Sequence, residues 1–575
     1  MNHTIDKFWR ERFSTIQKIP LVTQPGWCDA NTRLEAFEEA SLSLRPDYND
    51  LQQPMWLIAA PGAVGKSTLA QQLCAATGAI YLDLAVADTV GGHYITGGLE
   101  DVGALEAWKA EETTLVIDAL DEARLRVTQQ AFEDFLKDIW NRAKNRSLPV
   151  VLLGRVGIIE ETWAIINGKQ GVELPIFDIE HFTIEQAQSF VLKRLDSMAN
   201  GQPDYQHLRR LLDDHQKVYK KQLGELITNL QEFAQAASES FVGYAPVLEA
   251  VAKLIAAQTN PMQFQGLHGR VGHQVLLEIT DQILERESNK LKDQLVAANH
   301  PLTGRVYSPE EQLERLACRL FDLSAPPPPT DVPPAAQAAY IAAVNSLLQQ
   351  HPFLDGSGRK PSNPVFAACI SAAALRHQVD NLRQMAEYNC LQQQHTPNPF
   401  LYDFYNPSTV KVVPTVHVGP LYESALAKSK VGDSIGLSIE EGEDGLLAVE
   451  ITGITSEEDT LAKYQFITNA SDLLILGRRV TNLAIDAPSL CVTLGNKDVL
   501  EILAPVTVQC QLLEFQCDRL VVKVGKQADL NRAVVLEAQE ATAAQVRTTP
   551  LVSAGAELLV SWPDDAAFPW TGYSD

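Results

Sequence analysis

Short uninterrupted apolar blocks punctuate the N-terminal third of the chain: PMWLIAA (54–60), AIYLDLA (79–85), TTLVIDAL (113–120) and PVVLLGRV (149–156). Stretches with apolar positions three and four apart, such as KSTLAQQLCAAT (66–77) and 128–146, fill the intervals. A strand that is apolar at nearly every position must be covered on both faces. The pattern therefore predicts a parallel sheet between two layers of helices. From 183 to about 320 the blocks give way to successive amphipathic helical patterns. SAPPPPTDVPPAA (324–336) interrupts them, because four consecutive prolines fit neither a helix interior nor a central strand. Helical spacing then resumes to about 395.

Beyond about 409 the texture changes to β-rich runs separated by turn residues, among them VKVVPTVHV, GLLAVEITGI, DLLILG, NLAIDA, LCVTLG, VTVQC, LLEF, LVVKV and AVVLEA. Such a series predicts a sandwich, a barrel or a β-solenoid. APSLCVTL and APVTVQCQ hint at stacked coils.

Composition narrows the class. At 575 residues the chain exceeds one core, and 45% hydrophobic with 21% charged residues is ordinary for folded protein. A net charge of −25 opposes attraction to a polyanion, which disfavours nucleic acid as a partner. The eight cysteines are scattered with no C-x-x-C pair, so buried reduced thiols are expected. The N-terminal MNHTIDKFWRERF is charged, and no window reaches the roughly 18 apolar residues that cross a bilayer. A soluble, cytoplasmic chain without a membrane partner is expected.

The chemistry centres on AAPGAVGKSTLA (59–70), which follows an apolar block and opens a helical one. Gly65, Lys66 and Ser67 fill the last positions of G-x-x-x-x-G-K-[ST], and Ala60 replaces the first glycine. In such a loop successive backbone N–H groups wrap a phosphate, the lysine bridges the β- and γ-phosphates, and the hydroxyl binds Mg²⁺. Pro61, Gly62, Ala63, Val64, Gly65, Lys66, Ser67 and Thr68 are the expected nucleotide-binding residues. Further on, TTLVIDALDEARL (113–125) supplies an apolar block ending in acids. Asp118 is placed to hold Mg²⁺ together with Ser67, and Asp121 and Glu122 are placed to polarise an attacking water. Arg155, ending the next block, is placed to feel a γ-phosphate.

Together these residues resemble the STAND class of P-loop NTPases, within it the NACHT-like proteins. LVIDALDEAR is similar to that group's extended Walker B, VVLLGR to its sensor strand, and FDIEHFTIEQAQSFVLKRL (177–195) to the passage leaving the nucleotide domain, with Thr183 as helix cap. GYAPVLEAVAKLI (243–255) resembles the start of the lid, which would bring Pro246 near an adenine. The resemblance covers about 50–260 well, 260–395 weakly and the β-rich end not at all. Length, pattern and resemblance together predict a multidomain chain: an N-terminal helical segment (1–50), an α/β P-loop NTPase core with a parallel sheet (51–182), an α-helical lid (183–260), a helical, winged-helix-like region (261–400) and a β-rich domain (401–575).

The implied activity is slow, regulatory ATP hydrolysis. ADP holds the chain closed, and a trigger permits exchange for ATP and assembly into a homo-oligomer. The segment ahead of the loop, 1–50, is too short for an enzymatic effector of ordinary domain size, so a separate effector or trigger protein is expected, in a defence or signalling setting such as antiviral defence. The alternative is an AAA-like remodelling motor, for which Arg124 and Arg126 are the candidate finger residues. A kinase would want an arginine-rich lid, and 183–260 shows no such cluster.

Overall fold

The computed structural model describes residues 4–29, 38–61, 64–86, 90–201, 205–234, 241–257, 273–297, 300, 302, 304–355, 358–392, 395–406, 410–429, 433–443, 445–454, 460–470, 473–477, 479–496, 498–525, 532–542, 546 and 548–562. The chain divides into two compact units, one of residues 1–312 and 327–366, the other of 313–326 and 367–575.

The first unit is built on a seven-stranded sheet in the order β1-β4-β5-β6-β3-β7-β2. Its strands are β1 (Trp27–Asp29), β2 (Leu42–Leu44), β3 (Met55–Ala60), β4 (Ile80–Asp83), β5 (Leu115–Asp118), β6 (Val150–Arg155) and β7 (Ile176–Ile179). The five inner strands pair in parallel, and every residue of β3, β5 and β6 is buried. The unbroken apolar blocks are thus covered on both faces, as the pattern requires. The two edges were not foreseen. β1 and β2 come from the segment 1–50, read as helical, and pair antiparallel with β4 and β7. The only helical turns described there are at Ile5–Arg12, and the aromatic rings beside them seat that segment on the sheet. Trp9 is fully buried, 5.4 Å from Trp56 and 5.4 Å from Phe177 between ring centroids.

Helices follow at Ile184–Gly201, Gln206–Ala234, Ala245–Ala256, His273–Ala297 and Gln337–Gln349. Thr183 caps the first of them reciprocally: its Oγ1 accepts from Gln186 N (3.3 Å), and its own N–H donates to Gln186 Oε1 (2.9 Å). Among the described residues of 261–400 the only β pairing is the isolated bridge Leu354–Pro361.

The second unit carries a ten-stranded sheet. An antiparallel meander of β8 (Ser434–Glu441), β9 (Leu446–Ile454) and β10 (Thr460–Asn469) leads to β11 (Leu473–Leu476), β12 (Arg479–Leu494), β13 (Val499–Phe515), β14 (Arg519–Val524), β15 (Ala533–Thr542), β16 (Leu551–Val552) and β17 (Glu557–Ser561). β12 pairs with β13 in parallel from Arg479↔Glu501 to Leu494↔Phe515, although only residues 495–498 join them. A straight 16-residue strand spans about 50 Å, and four residues reach back at most about 14 Å. The strand must therefore bend round on itself, at the register shifts Thr481/Leu483 and Ala487/Cys491. Paired residues lie one coil apart, and the offset between partners is nearly the same at both ends of the ladder. Ile485, Val508 and Leu536 stack as an inward column of this parallel coil.

One sequence expectation fails here. VKVVPTVHV, read as a strand, leads into the helix Thr415–Lys428, and only Val413 bridges a strand residue, Thr468. Packing overrides the β-branched propensity. The helix lies so close to β11 that a Cβ on Gly419 would collide with the Ile475 carbonyl oxygen. All eight cysteines are free; six are buried, Cys491 is half-buried and Cys28 is exposed. Among the described residues no helix is long and apolar enough to cross a membrane.

Candidate nucleotide-binding site

Parallel pairing sets the site at the C-terminal ends of β3, β5 and β6. Ala60 pairs with Arg155, so the loop leaving β3 starts beside that arginine. Pro61 is half-buried and Val64 buried, while Gly62 and Ala63 lie outside the described residues. Gly65 adopts φ 92°, ψ 24° and caps the helix Lys66–Thr77. A Cβ there would meet nothing within 4 Å, so glycine is demanded by the left-handed backbone and not by space. Lys66, Ser67 and Thr68 form the first helical turn, whose backbone N–H groups have no intrahelical acceptor and whose dipole favours an anion.

β5 stands one strand away from β3, with β6 between them. Its last residue, Asp118, is 1% exposed. Asp118 Oδ1 accepts from Ala119 N (2.8 Å) and Oδ2 from the Tyr81 hydroxyl (3.1 Å). Burial and then the Asp118 charge raise Tyr81 well above the ordinary phenol range, which keeps the donor protonated. Ala119 takes left-handed φ 63°, ψ 37° and throws the chain from strand into the helix Leu120–Arg126. The turn brings Asp121 and Glu122, in that helix's first turn, toward the lysine.

Asp121 sits between two cations. Lys66 Nζ donates to its Oδ1 at 2.8 Å, and Arg155 Nε lies 3.3 Å from its Oδ2. The Arg155 backbone N–H also donates to Asp121 Oδ1, at 3.3 Å. Burial alone would raise this carboxyl; Lys66 and Arg155 outweigh it and hold Asp121 below the usual range. Glu122 goes the other way. Burial first, then the neighbouring Asp121 charge, push its carboxyl up to about 7. Gln350 Nε2 donates to Glu122 Oε1 at 2.6 Å, while the buried Oε2 has no hydrogen-bond partner among the described residues. Arg155, 7% exposed, donates from Nη1 to the Gln349 carbonyl at 2.6 Å.

A cleft of about 260 Å³ opens beside Gly65 and Thr68, walled by Phe182, Phe190, Ala245 and Arg286. The two phenylalanine rings stand 5.5 Å apart at 35°. Pro246 is buried in the first turn of Ala245–Ala256, and its neighbour Ala245 faces the cleft.

Lys66, Asp121, Glu122 and Arg155 thus meet around one point, with Asp118 held by the strand end beside them. Arg124 does not join them: its Nε pairs with Glu161 Oε1 at 2.9 Å within the same chain. Arg126's side chain lies outside the described residues. Sequence reasoning missed Tyr81, Gln349, Gln350, Phe182 and Phe190. Of these only Phe182 carried a signal, as the aromatic residue where the chain leaves β7.

No protein-family model matches the chain, and no curated protein sequence matches it significantly. Among solved structures it is similar to the Walker-type ATPase PABY2304 of Pyrococcus abyssi, with 11% identity, TM-score 0.30, and 55% of this chain and 91% of that one covered. It is also similar to the FIGL-1 AAA domain in complex with ADP, with 16% identity, TM-score 0.20, and 38% and 72% covered. A second structure of the FIGL-1 AAA domain gives 15% identity, TM-score 0.20, and 40% and 75% covered. The chain's own geometry decides the fold. With the inner strand order β4-β5-β6-β3-β7, a strand–loop–helix passage through Gly65 and Lys66, and Asp118 ending the strand one removed, the first unit has the architecture of a P-loop fold.

Proposed function

We propose that the chain binds ATP with Mg²⁺ and hydrolyses it slowly, as a STAND-like switch that passes its nucleotide state to a partner effector. The observation that carries this reading is the closure of Lys66 and Arg155 on Asp121. A γ-phosphate entering the loop would compete with Asp121 for both cations, so binding and rearrangement are one event. The base would lie against Phe182 and Phe190, near Pro246, with phosphates on Val64–Thr68.

Glu122, whose raised carboxyl takes up a proton near neutral pH, is the base that would polarise water, and Asp121 would steer Lys66 and Arg155. The donor set suits a hard cation: Ser67 offers a hydroxyl, and each Asp118 oxygen, bonded once among the described residues, keeps a lone pair for a metal-bound water. Mg²⁺ held there would neutralise phosphate charge.

A continuously turning motor would offer an arginine to a neighbouring subunit, whereas Arg124 is paired within its own chain. The proposal is tested by measuring turnover and solution mass with ADP, with ATP and with a nonhydrolysable analogue. Slow turnover and assembly only with the analogue support the switch. Fast turnover by an assembly of constant mass would overturn it.

A further inference from the structure

Consecutive residues from Gln349 to Phe353 touch five separated parts of the first unit. The Gln349 carbonyl takes the Arg155 guanidinium (2.6 Å), and the Gln350 amide donates to Glu122 (2.6 Å). His351 Nε2 meets Gln312 Oε1 (3.1 Å), and the Pro352 carbonyl accepts from the Tyr244 hydroxyl (3.1 Å). The Phe353 ring stacks on Phe366 with centroids 4.2 Å apart and planes 10° from parallel. His351 is fully buried; burial lowers it to about 4, so it stays neutral, and its Nδ1 accepts from Phe353 N at 3.1 Å.

Resting on the ATPase reading, we infer that this strap is a latch: it holds Glu122 and Arg155 out of service without nucleotide and releases them when a γ-phosphate arrives. Gln349 ends the helix Gln337–Gln349, so its carbonyl is among the last four that no intrahelical bond uses, at the negative end of the dipole. That end attracts Arg155, but a neutral carbonyl is a weak rival. The guanidinium is charged in either bond, but phosphate adds a full negative charge and accepts two parallel N–H bonds from the fork, so phosphate wins the guanidinium. Gln350, next in the chain, moves with it, and Glu122 Oε1 becomes available for water. On the other side Tyr244 immediately precedes Ala245, which lines the cleft. The strap therefore spans from the acids on the phosphate side to the helix on the base side. Gln350 is a positioning residue; it acts only through Glu122.

The test is hydrogen exchange of peptides spanning 347–354 in the full chain, with ADP and with a nonhydrolysable ATP analogue whose binding is first measured directly. Faster exchange with the analogue than with ADP is expected; equal exchange with both, the analogue bound, overturns the latch and leaves the ATPase reading standing. Absence of analogue binding removes both. Gln350→Met keeps the side chain's length and deletes the donor. It is expected to tighten analogue binding about tenfold with ADP affinity unchanged, because one hydrogen bond to a carboxylate no longer has to break when the γ-phosphate arrives. Analogue affinity equal to or below wild type contradicts the latch.

Discussion

Both units are built on parallel strand pairs, yet they return the chain in opposite ways, and the difference decides where loops can converge on strand ends. In the first unit helices carry the chain back between β3 and β4 and between β5 and β6, so the C-terminal strand ends stay open and loops converge there. Lys66, Asp121, Glu122 and Arg155 all sit at those ends. In the second unit the strand itself bends back, and consecutive coils pair after links as short as residues 495–498. Its interior is an apolar column.

The contrast breaks most visibly at Glu122. Replacing it by glutamine should lower hydrolysis about 10²- to 10⁴-fold while ATP binding persists, measured as phosphate release beside equilibrium binding. The pH dependence follows from the same group. Its carboxyl is raised to about 7, so it is protonated and unable to accept a proton below that pH; the wild-type rate should rise with pH through about 7. A rate that falls across this range would exclude Glu122 as the base.

How much of this was legible depended on local pattern. β3, β5 and β6 were readable because double-sided burial leaves an unbroken apolar run, and the positions of Lys66 at a strand-to-helix turn and of Asp118 at a strand end because each follows directly on such a run. β1 and β2 were not readable: Trp27–Asp29 and Leu42–Leu44 are too short to show a period. Gln350 meets Glu122 across 228 positions, and glutamine at a helix end carries no chemical signal of its own. The strands of the C-terminal unit could be read one by one, but their stacking is fixed by register between coils, which no single stretch encodes.

In the second unit, Leu513→Ala should destabilise by about 2–5 kcal/mol, because Leu513 is fully buried and packed between successive coils. Denaturant unfolding read from the C-terminal unit checks this, and nucleotide affinity should not move. Unchanged unfolding of that unit would contradict a packed apolar column. Tyr81→Phe sharpens the comparison at the candidate site. Removing the hydroxyl that Asp118 accepts should weaken Mg²⁺-dependent ATP binding about tenfold, with Mg²⁺-independent binding unchanged. Ala119→Gly should have the smallest effect, a gain of under about 1 kcal/mol. It relieves a left-handed alanine costing roughly 1–2 kcal/mol, offset by the greater chain entropy of glycine. A measurable loss of stability there would show that the turn is not strained.

The most direct test of the central claim, that the loop ending in Gly65–Lys66 is a working phosphate cradle, is calorimetric titration of ATP with Mg²⁺ into wild type and Lys66→Ala. Saturable one-site binding by wild type, weakened about a hundredfold by the substitution, is the predicted result. Equal affinity in the two proteins would contradict it.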